Sequence, residues 1–339
     1  HSLIAVRLFA KIRKTFEVDY PISVLFEAPT IRACAALIRG ARGQSGKDEP
    51  GRAARRERRY THLVAMHADE GGPRPPFFLV AGMFGNVMNL RHLAALVGTD
   101  RPFYGLQARG LFGDKEPHAT FEEAARDYLA ELRTVQPEGP YYLGGFSGGG
   151  ITALEMARQL LAAGQSIAAL ILLDTPLPTR DPISLGDKLS IHWQRLRRQG
   201  LGYGYRWLRD RIAWELDRRA KAGGPRGSDR HQFHDEVIEA AFRAALQRYQ
   251  VQTYPGDLTL FRPKLAVVYR LSGGRRANQW REIVFDDNGW GRYCQKVAVH
   301  EVPGDHDSMV LEPNVRVLAA RLRETLDQAE RKHRRSLAG

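Results

Sequence analysis

Apolar positions in the middle of the chain alternate between short unbroken runs and segments with a helical repeat. The unbroken runs are FFLVAG, PFYGL, YYLGGF and AALILLD, and near-continuous apolar character is typical of strands that are covered on both faces. Between the last three runs, TFEEAARDYLAELRTVQ and GITALEMARQLLAAG place apolar residues three or four positions apart, which predicts helices. This succession predicts an α/β fold with a mostly parallel sheet and helices on both faces.

The pattern after about residue 181 becomes helical and basic before strands return. DKLSIHWQRLRRQ, YRWLRDRIAWELDRR and DEVIEAAFRAALQRY predict helices within about 181–250, and DLTLFRP and KVAVHEVPG then predict further strands. A helical block between two strands of an α/β domain predicts a lid. Its aromatic side chains suit an apolar chamber, although each of them fits ordinary lid core equally well: Trp193, Tyr203, Tyr205, Trp207 and Trp214.

The first sixty residues divide into a helical unit and a linker. Residues 1–40 predict a small helical unit, whose last helix begins at the N-cap Thr30 and ends at Gly40. Residues 41–60 contain almost no apolar side chain, which predicts a flexible, charged linker. The α/β domain is then expected over 61–330.

Composition narrows the class of protein. With 43% hydrophobic residues among 339, the chain can bury a core, yet no apolar run approaches the roughly 18 residues of a membrane span. The N-terminus has neither an initiator Met nor a signal-peptide pattern, so we expect a segment from within a longer cytoplasmic protein. Cys34 and Cys294 are too few for a disulfide framework and lack metal-ligand spacing.

The net charge of +13 raises the question of a nucleic-acid partner. The basic residues are scattered through the linker, the helical insert and the C-terminal tail, and no nucleic-acid-binding motif accompanies them. We therefore interpret them as solvated surface and predict no nucleic-acid partner.

The sharpest local motif is GFSGG, at residues 145–149, which fits G-x-S-x-G between a predicted strand and a predicted helix. In that context the serine, Ser147, sits on a strained tight turn that lifts its hydroxyl above the sheet. The small residues Gly145 and Gly149 avoid clashes there. The following helix N-terminus favours developing negative charge. The motif is neither a P-loop nor a dinucleotide fingerprint, and it predicts a nucleophile.

A nucleophilic serine needs a base and an acid that orients the base. In this fold class the chain order is serine, acid, histidine, each after a strand. Asp174 ends the strand ALILLD, and His306 follows the strand VAVHEV. Asp257 is the alternative acid, although it begins a strand instead of ending one.

Other titratable groups compete less well for these roles. His300 lies within a predicted strand, and Asp305 and Asp307 adjoin the base in sequence, so they point away from it. His231 and His234, followed by two acidic residues, could indicate a metal site, but we interpret them as a solvated cap and predict no metal.

An acyl-transfer reaction also needs two N–H groups that stabilise an oxyanion. We expect one from Gly148, directly after the nucleophile. The second is expected from the loop after the first buried strand, with Met83 as the best single candidate. The glycines of that loop fit a plain tight turn as well.

Residues 76–326 resemble the type I thioesterase domains that end nonribosomal peptide synthetases and polyketide synthases. The resemblance is carried by FFLVAG, YYLGGFSGGG, LLDT, YPGDLTLFR, the NGW of 288–290 and VPGDHDSM. It implies an α/β-hydrolase fold in which Ser147, Asp174 and His306 form the catalytic triad.

Residues 1–40 resemble the C-terminal part of a peptidyl carrier protein, through HSL, LFEAPTI and the last helix. The resemblance implies that Ser2 bears 4′-phosphopantetheine. It also implies that the first carrier helix precedes the sequence, and HSL favours a peptide synthetase over a polyketide synthase.

Together the two resemblances predict a terminal release thioesterase, whose partners are the acyl or peptidyl chain on the adjacent carrier and the upstream synthetase modules of the same polypeptide. A tethered carrier has a high effective concentration, so its docking need not be tight. A general serine esterase of the same fold and a non-catalytic binding module are the alternatives. Hydrolysis and macrocyclisation both remain open at this stage.

Overall fold

A computed structural model describes residues 30–43, 61–67, 72–111, 115–178, 182–199, 235–279 and 282–338, with scattered positions between 8 and 28. Numbered in chain order, the strands are β1 (Leu63–Ala65), β2 (Phe77–Val80), β3 (Phe103–Leu106), β4 (Tyr141–Phe146), β5 (Ile167–Leu173), β6 (Tyr254–Pro263), β7 (Tyr269–Arg270), β8 (Arg276–Ala277), β9 (Ile283–Val284) and β10 (Cys294–Val302). The α-helices are α1 (Ile31–Gly43), α2 (Arg91–Val97), α3 (Phe121–Val135), α4 (Gly149–Ala162), α5 (Leu185–Gln199), α6 (Asp235–Arg248) and α7 (Val315–Ala338).

The chain divides into two compact units. The first comprises 1–176, 233–264 and 289–339, and the second comprises 177–232 and 265–288. The range predicted as one helical lid is therefore split, because α5 belongs to the second unit and α6 to the first.

A seven-stranded sheet forms the centre of the first unit, in the order β1-β3-β2-β4-β5-β6-β10. Only β1 is antiparallel to its neighbour; the other pairs are parallel. Every residue of β2 and β4 is buried, as their unbroken apolar runs predict. The predicted α/β-hydrolase fold is confirmed.

The core of this unit lies between the sheet and the helices α2 and α7. Leu93 from α2 and Leu318 and Leu322 from α7 pack with Phe77 and Leu79 of β2, all of them fully buried. On α7, Glu330 forms ion pairs with Arg74 at 2.8 Å and with the buried Arg101 at 2.6 Å. These ion pairs fix the C-terminal helix at the N-terminal end of the central strands.

Helix starts follow the expected capping chemistry, but one predicted helix end is wrong. The Thr30 hydroxyl accepts a hydrogen bond from Ala33 N–H at 3.1 Å, and Thr120 caps α3 through Glu123 N–H at the same distance. Gly40 does not end α1, which continues to Gly43. A glycine inside a helix costs only about 1 kcal/mol relative to alanine, which the flanking helix formers can offset.

The described part of the N-terminal region has a small core of its own. Ile12, Val18 and Ala28 pack with Cys34 and Ile38, the last two from α1. Residues 44–60, which include most of the predicted linker, lie outside the described residues.

The second unit contains a three-stranded antiparallel sheet of β7, β8 and β9. Ile191 of α5 packs with Tyr269, Leu271 and Ala277 in its core. The pattern of apolar residues does not predict this sheet, since its strands have only two residues each. Among the described residues, no helix is long and apolar enough to cross a bilayer.

Candidate active site

Ser147 lies on the turn between β4 and α4, with its backbone in the left-handed region at a φ of 52°. Its N–H donates to the carbonyl of Leu173 on the neighbouring strand at 2.8 Å, which holds the turn against β5. The turn needs glycine on both sides: a Cβ on Gly145 would lie 2.4 Å from the Gly149 carbonyl, and a Cβ on Gly149 would lie 2.1 Å from the Ala81 carbonyl. The GFSGG motif therefore folds as a tight strand-to-helix turn that exposes the serine.

The structure brings His306 between Ser147 and Asp174. His306 Nε2 lies 2.8 Å from Ser147 Oγ, and His306 Nδ1 lies 2.8 Å from Asp174 Oδ2. With the carboxylate accepting from Nδ1–H, the neutral imidazole presents Nε2 as an acceptor for the serine hydroxyl. A hydroxyl in this arrangement can lose its proton to the ring as it attacks.

Asp174 follows β5 directly and also has a left-handed backbone, with a φ of 46°. Its N–H donates to the Phe261 carbonyl on β6 at 2.7 Å. Since Phe146 and Leu173 are paired in the parallel register of β4 and β5, the serine and the acid leave the sheet at the same level.

The surroundings of His306 favour its protonated form. The hydrogen bond that Nδ1–H donates to Asp174 raises the pKa of the imidazole above its usual 6.5. Burial opposes this rise in the pKa, and the negative charges of Asp174, Asp307 and Asp305 add to it. The Phe146 ring stacks on the imidazole with a centroid distance of 5.6 Å. The ring is therefore fixed by a carboxylate at its edge and by an aromatic face.

The competing groups from the sequence have other partners. Asp257 is more than half exposed and forms an ion pair with Lys332 at 3.6 Å. His300 stacks on Phe261 with a centroid distance of 5.0 Å, and Asp305 accepts a hydrogen bond from Ser308 N–H at 2.9 Å. Neither aspartate contributes the carboxylate that accepts the hydrogen bond from His306, and His300 does not contact the serine.

Met83 and Gly148 carry the two amides that the sequence predicts as oxyanion donors. The loop after β2 runs beside the nucleophile, because a Cβ on Gly82 would lie 3.5 Å from the Ser147 Cβ. Within the part of the chain that the structure describes, the amides of Met83 and Gly148 donate no hydrogen bond.

Two residues at the site are missing from the sequence-based set. Trp290 is fully buried, and its indole N–H donates to the carbonyl of Thr175, the residue after the acid, at 2.9 Å. Phe242 of α6 covers Gly148, since a Cβ there would lie 2.2 Å from its ring. The NGW signature pointed to the first of them, whereas nothing in the sequence distinguished the second.

One group of side chains in the described residues has the spacing of a metal site. His62, His118 and Asp127 place ligand atoms within 4.8 Å of one another. However, Asp127 also accepts from the Arg109 guanidinium at 3.0 Å, and that positive charge disfavours a cation. His62 binds the Gln107 carbonyl at 3.2 Å, so the group forms a hydrogen-bonded anchor for the loop before α3. Ser2, His231 and His234 lie outside the described residues.

Comparison with known families identifies the kind of domain that contains this site. Residues 75–190, which contain Ser147 and Asp174, match the thioesterase domain family. This part of the chain is a thioesterase domain. Residues 1–38 match the phosphopantetheine attachment site, so the thioesterase domain follows carrier sequence.

Related proteins are multidomain synthetases. Chondramide synthase cmdD of Chondromyces crocatus is 29% identical over 351 residues, which cover 97% of this chain and 8% of that protein. A dimodular nonribosomal peptide synthase of Bacillus subtilis is 37% identical over 174 residues, covering 51% of this chain and 7% of that protein. The chain thus spans less than a tenth of the length of either relative.

Solved structures show the same fold. The NocB thioesterase domain, in a covalent complex with a fluorophosphonate nocardicin G analogue, is 26% identical with a TM-score of 0.52, over 78% of this chain and 99% of that one. A four-domain nonribosomal peptide synthetase bound to AMP and glycine is 23% identical with a TM-score of 0.56, over 96% of this chain and 24% of that one.

Proposed function

We propose that the chain is the terminal release module of a peptide synthetase, in which Ser147, His306 and Asp174 act as a catalytic triad. The observation that carries the proposal is the unbroken path of two 2.8 Å hydrogen bonds from the serine hydroxyl through the imidazole to the carboxylate. The match of 75–190 to thioesterase domains supports an acyl thioester as the substrate.

The reaction begins when Ser147 Oγ attacks the thioester carbonyl while His306 Nε2 takes the hydroxyl proton. The amides of Met83 and Gly148 stabilise the oxyanion. The carbon–sulfur bond then breaks, His306 gives its proton to the leaving thiolate, and an acyl ester of Ser147 remains. Water, or a nucleophile within the acyl chain, attacks the ester, and its proton returns through His306 to the serine oxygen.

The thioester is delivered by carrier sequence in the same chain. The match of residues 1–38 to the phosphopantetheine attachment site, together with the helix α1 and its small core, supports a carrier part with Ser2 as its modified residue. When attached, the group supplies a thiol on a long arm. Upstream modules of the same polypeptide are the source of the chain, and the small number of cysteines, two among 339 residues, agrees with a reducing cytoplasm.

The triad is tested with a fluorophosphonate probe and a synthetic acyl-pantetheine thioester. We expect the probe to label Ser147, with labelling and turnover lost in Ser147→Ala and retained in Ser166→Ala, which changes an exposed serine. Product mass separates the release modes, because a linear acid is heavier than the ring by one water. Persistent turnover in Ser147→Ala would refute the assignment.

The carrier role needs a separate experiment. Incubation with coenzyme A and a phosphopantetheinyl transferase should add one phosphopantetheine to the chain, and Ser2→Ala should abolish the gain. If no mass is gained and simple esters react as fast as thioesters, a general serine esterase becomes the better description.

A further inference from the structure

His306 lies on a short loop between β10 and a 3₁₀ turn at Ser308–Val310. The edge of its imidazole binds Asp174 and one ring face stacks on Phe146, but much of the side chain is exposed to solvent. Because the protein does not enclose the ring on all sides, the backbone of the loop has a large share in fixing where the imidazole lies.

The residues on either side of the base in sequence are joined by reciprocal hydrogen bonds. The Ser308 hydroxyl accepts from the Asp305 N–H at 2.9 Å and donates to Asp305 Oδ1 at 2.6 Å. The Ser308 N–H donates to the same carboxylate oxygen at 2.9 Å. This is the pattern of a capping box, in which the side chain of each residue binds the backbone N–H of the other. The Asp305–Ser308 pair therefore closes the loop across His306.

The Asp305–Ser308 pair is also tied to the core. The N–H of the fully buried Met309 donates to the Asp305 carbonyl at 3.0 Å, and the Asn314 side chain donates to the Ser308 carbonyl at 3.2 Å. Gly304, before the pair, has a φ of 94°, and a Cβ there would lie 2.6 Å from the Asn314 side-chain nitrogen. The loop is thus closely packed beneath the base, and the pair links that packed part to His306.

The hydrogen bonds of Asp305 are better placed than its charge to act on the base. The charged groups that raise the pKa of His306 are Asp174 from the end of β5 and Asp307 and Asp305 from its own loop, and the charge of Asp305 contributes least among them. Its carboxylate is directed at Ser308 and is exposed, so solvent and salt weaken its electrostatic effect. We therefore expect Asp305 to act mainly through the conformation of the loop.

We propose that Asp305 and Ser308 are positioning residues for the catalytic base, because their reciprocal hydrogen bonds hold the loop that places His306 between Ser147 and Asp174. The proposal rests on the proposed function, since it requires His306 to act as the base. Both bonds of the imidazole in the triad are 2.8 Å long. A shift of the loop would disturb the two together, and a misplacement of about 1 Å at a reacting group can cost about a hundredfold in rate.

The first test removes the hydrogen bonds from each side of the pair in turn. Asp305→Ala and Ser308→Ala should each lower kcat for a synthetic acyl-pantetheine thioester by at least about tenfold. KM should change less than kcat, since the loss falls on the chemical step. Thr120→Ala is the matched control, because it removes the hydroxyl that caps α3 through the Glu123 N–H at 3.1 Å. It should lower stability and keep the native kcat.

Conservative variants separate the hydrogen bonds from the charge. Asp305→Asn keeps an acceptor oxygen for the Ser308 N–H and hydroxyl but removes the negative charge, and Ser308→Thr keeps the hydroxyl. Both should retain kcat within about twofold of the native value, because the loop can still close. Equal losses of kcat in Asp305→Asn and Asp305→Ala would assign the effect to charge and overturn the positioning role.

The pH profile of Ser308→Ala gives a readout that lost stability alone does not move. This substitution changes no charged group near His306, so a midpoint of the acid limb shifted to lower pH would show that the hydrogen bond to Asp174 has weakened. We expect that shift. Native kcat per folded molecule in both alanine variants, or lost stability with an unmoved midpoint, would overturn the positioning role. If a fluorophosphonate probe fails to label Ser147 in the native chain, the proposed function itself fails, and the positioning role with it.

Discussion

Phe146 lies nearly parallel to the imidazole of His306, with ring centroids 5.6 Å apart and planes inclined by 22°. Since Phe146 directly precedes Ser147, one turn supplies both the hydroxyl and the surface on which the histidine ring rests. With this contact in place, 42% of the His306 side chain is still exposed to solvent. The stacking therefore restricts a base that would have room to rotate.

Phe146→Leu should lower kcat about tenfold, because the imidazole loses its aromatic support, a contact worth about 0.5–1.5 kcal/mol. KM should change less than kcat, since the ring contacts the base that acts in the chemical step. Phe261→Leu is the matched control: Phe261 stacks on His300 at 5.0 Å with the same 22° inclination. Equal losses of kcat in both variants, after correction for folded fraction by thermal denaturation, would show that the effect is merely structural.

The raised pKa of His306 predicts the acid limb of the pH profile. The base must be neutral to accept the serine proton, so kcat/KM should rise with a midpoint above 6.5. Asp174→Asn removes the largest cause of the raised pKa, so the midpoint should move to lower pH. The plateau should fall by up to about 10⁴-fold, as when a triad loses its acid.

The raised pKa of His306 also makes the stability of the fold depend on pH. A folded-state pKa above the unfolded value means that protonated His306 stabilises the fold below pH 6.5, and that this stabilisation is lost as the pH rises through the raised pKa. In Asp174→Asn this component of the pH dependence should disappear from denaturant titrations. A midpoint unchanged by the substitution would contradict the pairing of these two residues.

The left-handed backbone of Ser147 predicts that the nucleophile costs stability. A non-glycine residue with a φ of 52° is disfavoured by about 1–2 kcal/mol. Ser147→Gly should therefore be about 1 kcal/mol more stable than Ser147→Ala, although both variants are inactive. At Ser190, within α5, the order should reverse, because glycine is unfavourable inside a helix by a similar amount.

Urea denaturation of the four variants measures both differences. If the glycine variant at position 147 is the less stable member of its pair, the strained conformation of the turn is not a property of the protein in solution.

The hydrogen bond from Trp290 to the residue after Asp174 predicts that Trp290 helps to position this acid. Trp290→Phe keeps an aromatic ring but removes the 2.9 Å hydrogen bond to the Thr175 carbonyl, a contact worth about 0.5–1.5 kcal/mol. We expect reduced kcat and an acid limb shifted towards lower pH, because Asp174 is held less firmly against His306.

Trp193→Phe is the control for that substitution, as Trp193 lies on α5 with 55% of its surface exposed. It should leave the kinetics and their pH dependence unchanged. If Trp290→Phe lowers stability without moving the pH profile, the indole contributes only to the packing of the core.

Most of the fold could be predicted because its strands are continuous apolar runs and its helices have strong periodicity. β4 has the bounds of the run YYLGGF, and α3 begins one residue after its cap. β1 was missed because three residues at an antiparallel edge carry too little pattern to distinguish a strand from a loop. The same applies to the two-residue strands of the second unit.

The chemical roles of the site could be predicted from chain order, but its finer geometry could not. Order alone placed Ser147, Asp174 and His306 together as candidates. The left-handed φ of Asp174 depends on its bond to the Phe261 carbonyl, a tertiary contact with no local signal. The cover that Phe242 gives to Gly148 depends likewise on where α6 packs.

The strand between those that precede the acid and the histidine supplies no side chain to the triad. The serine follows β4, the acid follows β5 and the histidine follows β10, whereas β6, between β5 and β10, ends at Pro263 and supplies no side chain to the triad. The chain leaves the first unit soon after this strand and returns to it at residue 289. Evolution or engineering can therefore exchange the segment 265–288 for one of another length and keep the reacting groups in register.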